Sequence, residues 1–201
     1  IKVSKFGRTT YNEFITAIAK LKQAGCTSFI IDLRGNTGGY MDAAINMVNE
    51  FMPEGRLIVY TEGKAFPRND VYTNGTGTCQ DAPLVVLTDE FSASASEIFS
   101  GAIQDNDRGL IIGRRTFGKG LVQSPIQLSD GSEIRLTIAR YYTPSGRCIQ
   151  KKYELGKDNE YEQDIYNRFM HGEFDSADSI KQDNGERYET VMGRTVYGGG
   201  G

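Results

Sequence analysis

Pro83-Leu-Val-Val-Leu-Thr88, followed by Phe91-Ser-Ala-Ser-Ala-Ser-Glu-Ile98 and Phe99-Ser-Gly-Ala-Ile-Gln-Asp105, decides how the rest of the chain is read. The first run is apolar and β-branched, as a buried strand is. The last reads as a helix from Ala95. Between them lies an elbow of small residues. Such an elbow in an α/β protein lifts one side chain out of the sheet and turns helix N–H groups towards a ligand. Ser94-Ala-Ser-Glu97 is also a capping box, a helix N-cap with glutamate at N3. The bland reading is therefore a helix cap. The chemical reading is a nucleophile at Ser94 with the Ala95 N–H beside it for an oxyanion.

Working outward, residues 1–6 alternate apolar and polar as a half-buried strand does. Thr10-Tyr-Asn-Glu13 has the form of a second capping box, opening a helix with Phe14, Ala17, Ile18 and Leu21 on one face and Gly25 at its end. Residues 28–33 form a short apolar strand, and the loop Arg34-Gly-Asn-Thr-Gly-Gly39 leads into a helix over about 40–51. Residues 56–62 are a third strand, 63–82 a polar surface loop with a possible hairpin, and 110–113 a short buried strand. Residues 121–128 and 133–142 flank Ser-Asp-Gly-Ser, a β-hairpin signal. Strands alternating with helices and then a hairpin predict an α/β core with a mixed sheet flanked by helices.

From residue 151 to about 189 the chain is charged and net acidic, with one helix-like piece over 160–170. It reads as an insertion or flap. The expected division is a core over 1–150, the charged insertion over 151–189, and a return towards the core over 190–201. Starting in a strand without Met and ending in a glycine run, the sequence reads as a piece of a longer protein.

The composition narrows the function classes. Hydrophobic residues make up 38%, charged residues 24%, and the net charge is −3. Nothing here points to nucleic acid or an anionic membrane surface. No apolar run reaches the length of a membrane span. Cys26, Cys79 and Cys148 are odd in number and widely spaced, without metal-ligand pairing. They read as thiols, or as one disulfide that would involve Cys79.

A serine nucleophile needs a base. The one histidine, His171, lies deep in the charged segment and reads as a surface residue. Lys119, in Gly113-Arg-Arg-Thr-Phe-Gly-Lys-Gly120, is the alternative. Flanking glycines would let the backbone pack closely and bury the lysine stem, and burial would lower its pKa. The bland reading is an exposed loop lysine. The same stretch matches a phosphate-binding loop except at its last position, where Gly120 replaces Ser or Thr, and no helix follows. Asn36-Thr-Gly-Gly39 reads as a structural turn, an anion cradle, or half of an oxyanion hole.

Four stretches together resemble the carboxyl-terminal processing peptidases, or tail-specific proteases. They are Ile31-Asp-Leu-Arg-Gly-Asn-Thr-Gly-Gly39, Ser92-Ala-Ser-Ala-Ser-Glu-Ile98 with Gln104-Asp105, Gly113-Arg-Arg-Thr-Phe-Gly-Lys-Gly-Leu-Val-Gln123, and Leu136-Thr-Ile-Ala-Arg-Tyr-Tyr-Thr-Pro-Ser-Gly-Arg147. The resemblance covers roughly residues 1–150. It implies a fold related to the Clp protease and crotonase group, and a Ser-Lys dyad with Ser94 as nucleophile and Lys119 as base, 25 positions apart. Gln123 resembles the residue that orients the lysine, and Glu97 and Asp105 fall where supporting polar residues occur. The Ala95 N–H and that of Gly38 or Gly39 would form the oxyanion hole.

No metal or cofactor is implied. The expected partners are proteins or peptides with unstructured C-termini and a PDZ-like domain in cis, ahead of residue 1; oligomeric state stays open. The resemblance implies an extracytoplasmic location, such as a bacterial periplasm. The rival readings are a non-proteolytic ligand- or peptide-binding module on the same fold and, by fold analogy alone, an acyl-CoA enzyme.

Overall fold

A computed structural model of the chain describes residues 1–153, 156, 159, 161, 163–180 and 186–201. Strands β1 (Phe29–Asp32), β4 (Leu84–Thr88) and β5 (Leu110–Gly113) form a parallel sheet in the order β1-β4-β5. Strands β2 (Leu57–Glu62), β3 (Asn69–Tyr72), β6 (Leu121–Gln127) and β7 (Glu133–Tyr142) form an antiparallel sheet in the order β3-β2-β7-β6. The α/β class holds, with the two kinds of pairing in separate sheets. The possible hairpin in residues 63–82 is β2–β3.

Helices α1 (Thr10–Gln23), α2 (Met41–Asn49) and α3 (Ala95–Asp105) cover the parallel sheet through one shared core. Its centre is Phe51, just past α2 and fully buried. Its ring meets Phe14 of α1, Phe29 of β1 and Phe99 of α3 edge-on, with centroids 6.0, 6.1 and 6.4 Å away. Burying such a ring contributes about 1.5–3 kcal/mol. This cluster fixes where α3, and therefore Ser94, sits over the sheet.

Several local expectations need correction. The capping box at Thr10 does not form. Thr10 is already helical, and its hydroxyl turns back to the Lys5 carbonyl (3.0 Å) and accepts from Gly7 N–H (2.8 Å). Thr9 is the N-cap, and its hydroxyl donates to Glu13 Oε1 at 2.7 Å. The loop turns one residue earlier than the Ser/Thr-x-x-Glu pattern suggests. Residues 1–6 are not a continuous strand; they touch the fold at two parallel bridges, Lys2 to Asp32 and Phe6 to Gly39. Strand β5 is apolar yet largely exposed, because one face of the sheet is uncovered: Leu110 and Ile112 point outward on the face that also carries Ile30. Continuous apolarity cannot distinguish a buried strand from one with an uncovered face.

In the charged stretch, helix α4 (Asp164–Met170) accounts for the described part of the expected helix; residues 160 and 162 of that reading lie outside the described residues. The stretch is not detached, since Arg168 and Glu173 are buried. Strands β8 (Arg187–Glu189) and β9 (Thr195–Tyr197) pair with each other across the boundary expected at 189. All three cysteines are thiols, with Cys79 buried, so the disulfide alternative is not realised.

Candidate active site

Ser94 stands at the N-cap of α3 with φ 57° and ψ −113°. Only it and Asp107 among the described non-glycine residues have positive φ. Backbone in this region costs about 1–3 kcal/mol and persists only where surrounding contacts enforce it. Here they are visible. The Ser92 hydroxyl donates to Leu33 O (2.9 Å), Ala93 N–H to Asn36 O (3.0 Å) and the Ser96 hydroxyl to Asn36 O (2.8 Å). The elbow is thus stitched to the loop after β1. Ala93 and Ala95 are buried, while Ser94 stays partly exposed.

The loop after β1 is equally fixed. Fully buried Asn36 donates from Nδ2 to Val3 O (2.7 Å) and accepts Gly38 N–H at Oδ1 (2.9 Å). Asp89 accepts Gly35 N–H with both oxygens. Arg34 closes on Asp32 through Nε and Nη2 at 2.9 and 2.8 Å, which holds the Asp32 carboxyl down at about 2. A Cβ on Gly38 would lie 2.8 Å from Ser94 Cβ and 3.0 Å from Ala95 N, so glycine is needed for this loop to touch the elbow.

The two glycines differ in what their N–H groups do. That of Gly38 is taken by Asn36. The N–H of Gly39 has no acceptor among the described residues, and neither has that of Ala95, an orphan donor of the first helical turn. Gly39 is exposed, and its backbone rests on Phe6.

Glu97 is the hub. It is buried, 3% exposed, and accepts four hydrogen bonds. Oε2 takes Ser94 N–H (2.8 Å) and Lys119 N–H (2.9 Å); Oε1 takes Gly118 N–H (2.6 Å) and the Thr116 hydroxyl (2.7 Å). Burial pushes its pKa up, and the four donors oppose that. The capping box read from sequence is present. The same carboxylate also draws in the lysine loop, placing the Ser94 and Lys119 backbones within two hydrogen bonds of each other.

The Lys119 side chain, however, is exposed, and its ammonium has no hydrogen-bond or ion-pair partner among the described residues. The expected burial of its stem is absent. The buried lysine beside this loop is Lys151, 7% exposed. Its N–H donates to Gly118 O (2.9 Å), and its Nζ reaches Tyr161 O (3.1 Å) and Asp164 Oδ2 (3.2 Å). The Lys151 ammonium lies over the rings of Phe117 and Tyr161 at 4.1 and 4.2 Å. Burial pulls its pKa down, against the pull of Asp164. Nothing in the residue types marked Lys151; only the packing of residues 117 and 161 does.

Gln123 lies on β6 just after a register shift and is exposed. Asp105 is buried at the other end of α3, about 16 Å from Ser94 along the helix axis. It accepts the Ser145 hydroxyl and Arg147 Nη2, both at 2.6 Å, so it anchors the turn after β7 rather than the elbow. His171 pairs its ring with Asn167 O (2.6 Å) at the end of α4. A cavity of about 360 Å³ reaches Glu97 and Thr116 but is not lined by Ser94 or Lys119.

The chain matches known proteins in sequence and fold. The family model for "Peptidase family S41" matches residues 1–162. The chain is 42% identical over 151 residues to a carboxyl-terminal-processing protease of Synechocystis sp., covering 75% of this chain and 35% of that protein. It is 38% identical over 160 residues to the carboxy-terminal processing protease CtpA of Bacillus subtilis, covering 76% and 32%. Among solved structures, a photosystem II D1 C-terminal processing protease superposes with TM-score 0.69 at 37% identity, covering 74% of this chain and 38% of that one. A putative peptidase from Parabacteroides merdae shares the fold, with TM-score 0.56 at 22% identity, covering 90% and 62%. The chain spans about a third of the length of these curated relatives. A shared fold and a family match over most of the chain, with the elbow and the lysine loop gathered on one carboxylate, lead to one assignment: the chain belongs to peptidase family S41.

Proposed function

We propose that this chain carries the catalytic core of a serine endopeptidase that cleaves proteins near their C-termini through Ser94 and Lys119. The observation that carries this reading is Glu97 Oε2, which accepts both the Ser94 and the Lys119 backbone N–H. A cap alone has no need to hold a second loop. The positive φ of Ser94 supports the same reading, because strain of this kind lifts a side chain clear of the backbone.

In the proposed reaction, neutral Lys119 takes the proton of the Ser94 hydroxyl as its oxygen attacks the scissile carbonyl. The carbonyl π pair moves onto oxygen, and the N–H groups of Ala95 and Gly39 donate to that oxyanion. Gly39 is favoured over Gly38 because the Gly38 N–H already serves Asn36. Collapse expels the amine, which takes that proton from Lys119; Lys119, neutral again, takes a proton from a water whose oxygen attacks the acyl ester, and passes it to Ser94 Oγ as the C–Oγ bond breaks and the acid product leaves. Lys119 is exposed, so a peptide lying over the elbow supplies the water exclusion that favours the neutral amine. Gln123, on the strand after the lysine loop, is proposed to orient Lys119. Asp105 is assigned a scaffolding role.

The relatives, carboxyl-terminal processing proteases by name, support C-terminal processing as the task, and unstructured protein tails are proposed as substrates on the family resemblance. A location outside the cytoplasm, such as a bacterial periplasm, is proposed on the same resemblance, as are a PDZ-like domain in cis and the division into core, insertion and return. A peptidyl phosphonate tests the chemistry. Ser94 is expected to be the labelled residue in the full-length protein, and labelling is expected to vanish in Ser94→Ala and Lys119→Ala. Full-rate peptide cleavage by both variants would remove this reading, and binding without labelling would favour the non-proteolytic module.

A further inference from the structure

The lysine loop is gripped from two sides. Glu97 holds Thr116, Gly118 and Lys119 from the elbow side. The second grip comes from the charged stretch after residue 150. Arg168 of α4, 5% exposed, donates from Nη1 to Thr116 O (2.9 Å) and from Nη2 to Arg115 O (2.6 Å). Its Nε donates to Glu173 Oε2 at 2.7 Å. Glu173 Oε1 in turn accepts Arg115 Nη2 at 2.6 Å. Every nitrogen of one planar guanidinium is therefore engaged, two of them on consecutive carbonyls of the loop. A flat fork of donors fixes the orientation of the peptide plane between those carbonyls, which a single ammonium cannot do. Thr116 is held by its carbonyl from one side and its hydroxyl from the other.

The grip bears on the residues immediately downstream. Gly118 has φ +83°, and Gly118-Lys119-Gly120 has little conformational preference of its own. Where Lys119 emerges is set by contacts upstream and around it. The family match ends at residue 162, so Arg168 and Glu173 lie outside the matched region. The geometry points to Arg168 as a positioning residue that, buttressed by Glu173, clamps the Arg115–Thr116 backbone so that Lys119 is presented to Ser94. The segment from α4 to Glu173 is then a strut for the dyad. This inference rests on the reading of Ser94 and Lys119 as nucleophile and base.

The test uses the full-length protein with Arg168→Ala, Arg168→Lys and Glu173→Gln. Phosphonate labelling of Ser94 is followed against pH, and amide hydrogen exchange over residues 116–120 is followed alongside. Arg168→Ala is expected to slow labelling by about 10- to 100-fold, as expected of a misplaced base, with saturation by the probe unchanged. It should also move the pH midpoint of labelling and speed exchange at Phe117 to Lys119 while α3 and β4 keep theirs. Added guanidinium ion should restore part of the rate. Arg168→Lys, which keeps the charge and loses the fork, should recover little. If Arg168→Ala does not fold, Glu173→Gln, which keeps the shape of its side chain, should show a smaller shift of the same sign. An unchanged pH midpoint with unchanged loop exchange overturns the clamp. So does a uniform rise of exchange across the core, which would mean a structural role only. A parent protein that is not labelled at Ser94 would defeat the dyad reading, and the exchange measurements would still judge the clamp.

Discussion

Lys119 and Lys151 both border the Gly118 peptide, one along the chain and one through a backbone hydrogen bond to its carbonyl, yet the fold treats them oppositely. Lys119 stands in solvent with no partner for its ammonium among the described residues. Lys151 is packed between two aromatic rings and tied to Asp164 and a carbonyl. Burial is the usual sign of a lysine tuned for catalysis. Here the buried lysine has its ammonium engaged by a carbonyl, a carboxylate and two rings, which is a structural role. The exposed one has its backbone fastened and its side chain free to reach a neighbour. In the proposed dyad, position relative to Ser94, rather than burial, separates the base from the brace.

Exchanging the lysines one at a time gives the sharpest way to break this contrast. Lys119→Ala is expected to lower kcat by about 10³-fold, within the range for losing a general base, with little change in Tm. Lys151→Ala is expected to do the reverse, costing about 2 kcal/mol, or roughly 5 °C in Tm for a chain of this size, through lost packing and cation–π contact. Peptide cleavage and thermal unfolding on both variants decide it. Equal losses of activity and stability in the two would erase the distinction.

The next largest effect concerns the carboxylate that ties the exposed lysine to the elbow. Glu97→Gln presents an amide NH₂ to two of the four donors that the carboxylate accepts. It is expected to cost about 2–4 kcal/mol in urea unfolding and to lower activity as well. A stability loss under about 0.5 kcal/mol, the size of an ordinary surface change, would mean that the hub does not hold the two loops together.

The smallest effect is one of pH. The folded state lowers the pKa of Lys151, so the unfolded chain binds more protons between the folded and unfolded pKa values. Stability from this group therefore rises with pH across that interval. The stability gap between the parent and Lys151→Ala should widen from pH 8 towards pH 10, measured by denaturant unfolding. A gap that narrows would show that the Asp164 pairing outweighs burial at this site.

Much of this was legible because the informative pattern is local. The strand, small-residue elbow and helix at residues 83–105 follow from apolar runs and a cap signature, and the S41 motifs carry their spacing openly. The capping pair Ser94–Glu97 was readable, but the second task of Glu97 was not, since Thr116, Gly118 and Lys119 reach it only across the fold. Strand β5 reads as buried because a strand with an uncovered apolar face and a buried strand have the same composition. The glycines around Lys119 allow close packing, but allowing it does not bring a neighbour to that face, and the side chain stays in solvent. The choice of Gly39 over Gly38 needed Asn36, whose buried amide takes one of the two N–H groups.

By itself, the sequence determined the order of the elements from α1 to β7, the position of the elbow, the family and the candidate nucleophile and base, carried by residue type, local pattern and motif order. Only the tertiary structure decided which lysine is buried, which glycine offers its N–H, and that the acidic stretch after residue 150 braces the lysine loop through Arg168. Those outcomes depend on desolvation and on hydrogen bonds between groups as far as 52 and 53 residues apart, and such pairings leave no periodic or local mark in the chain.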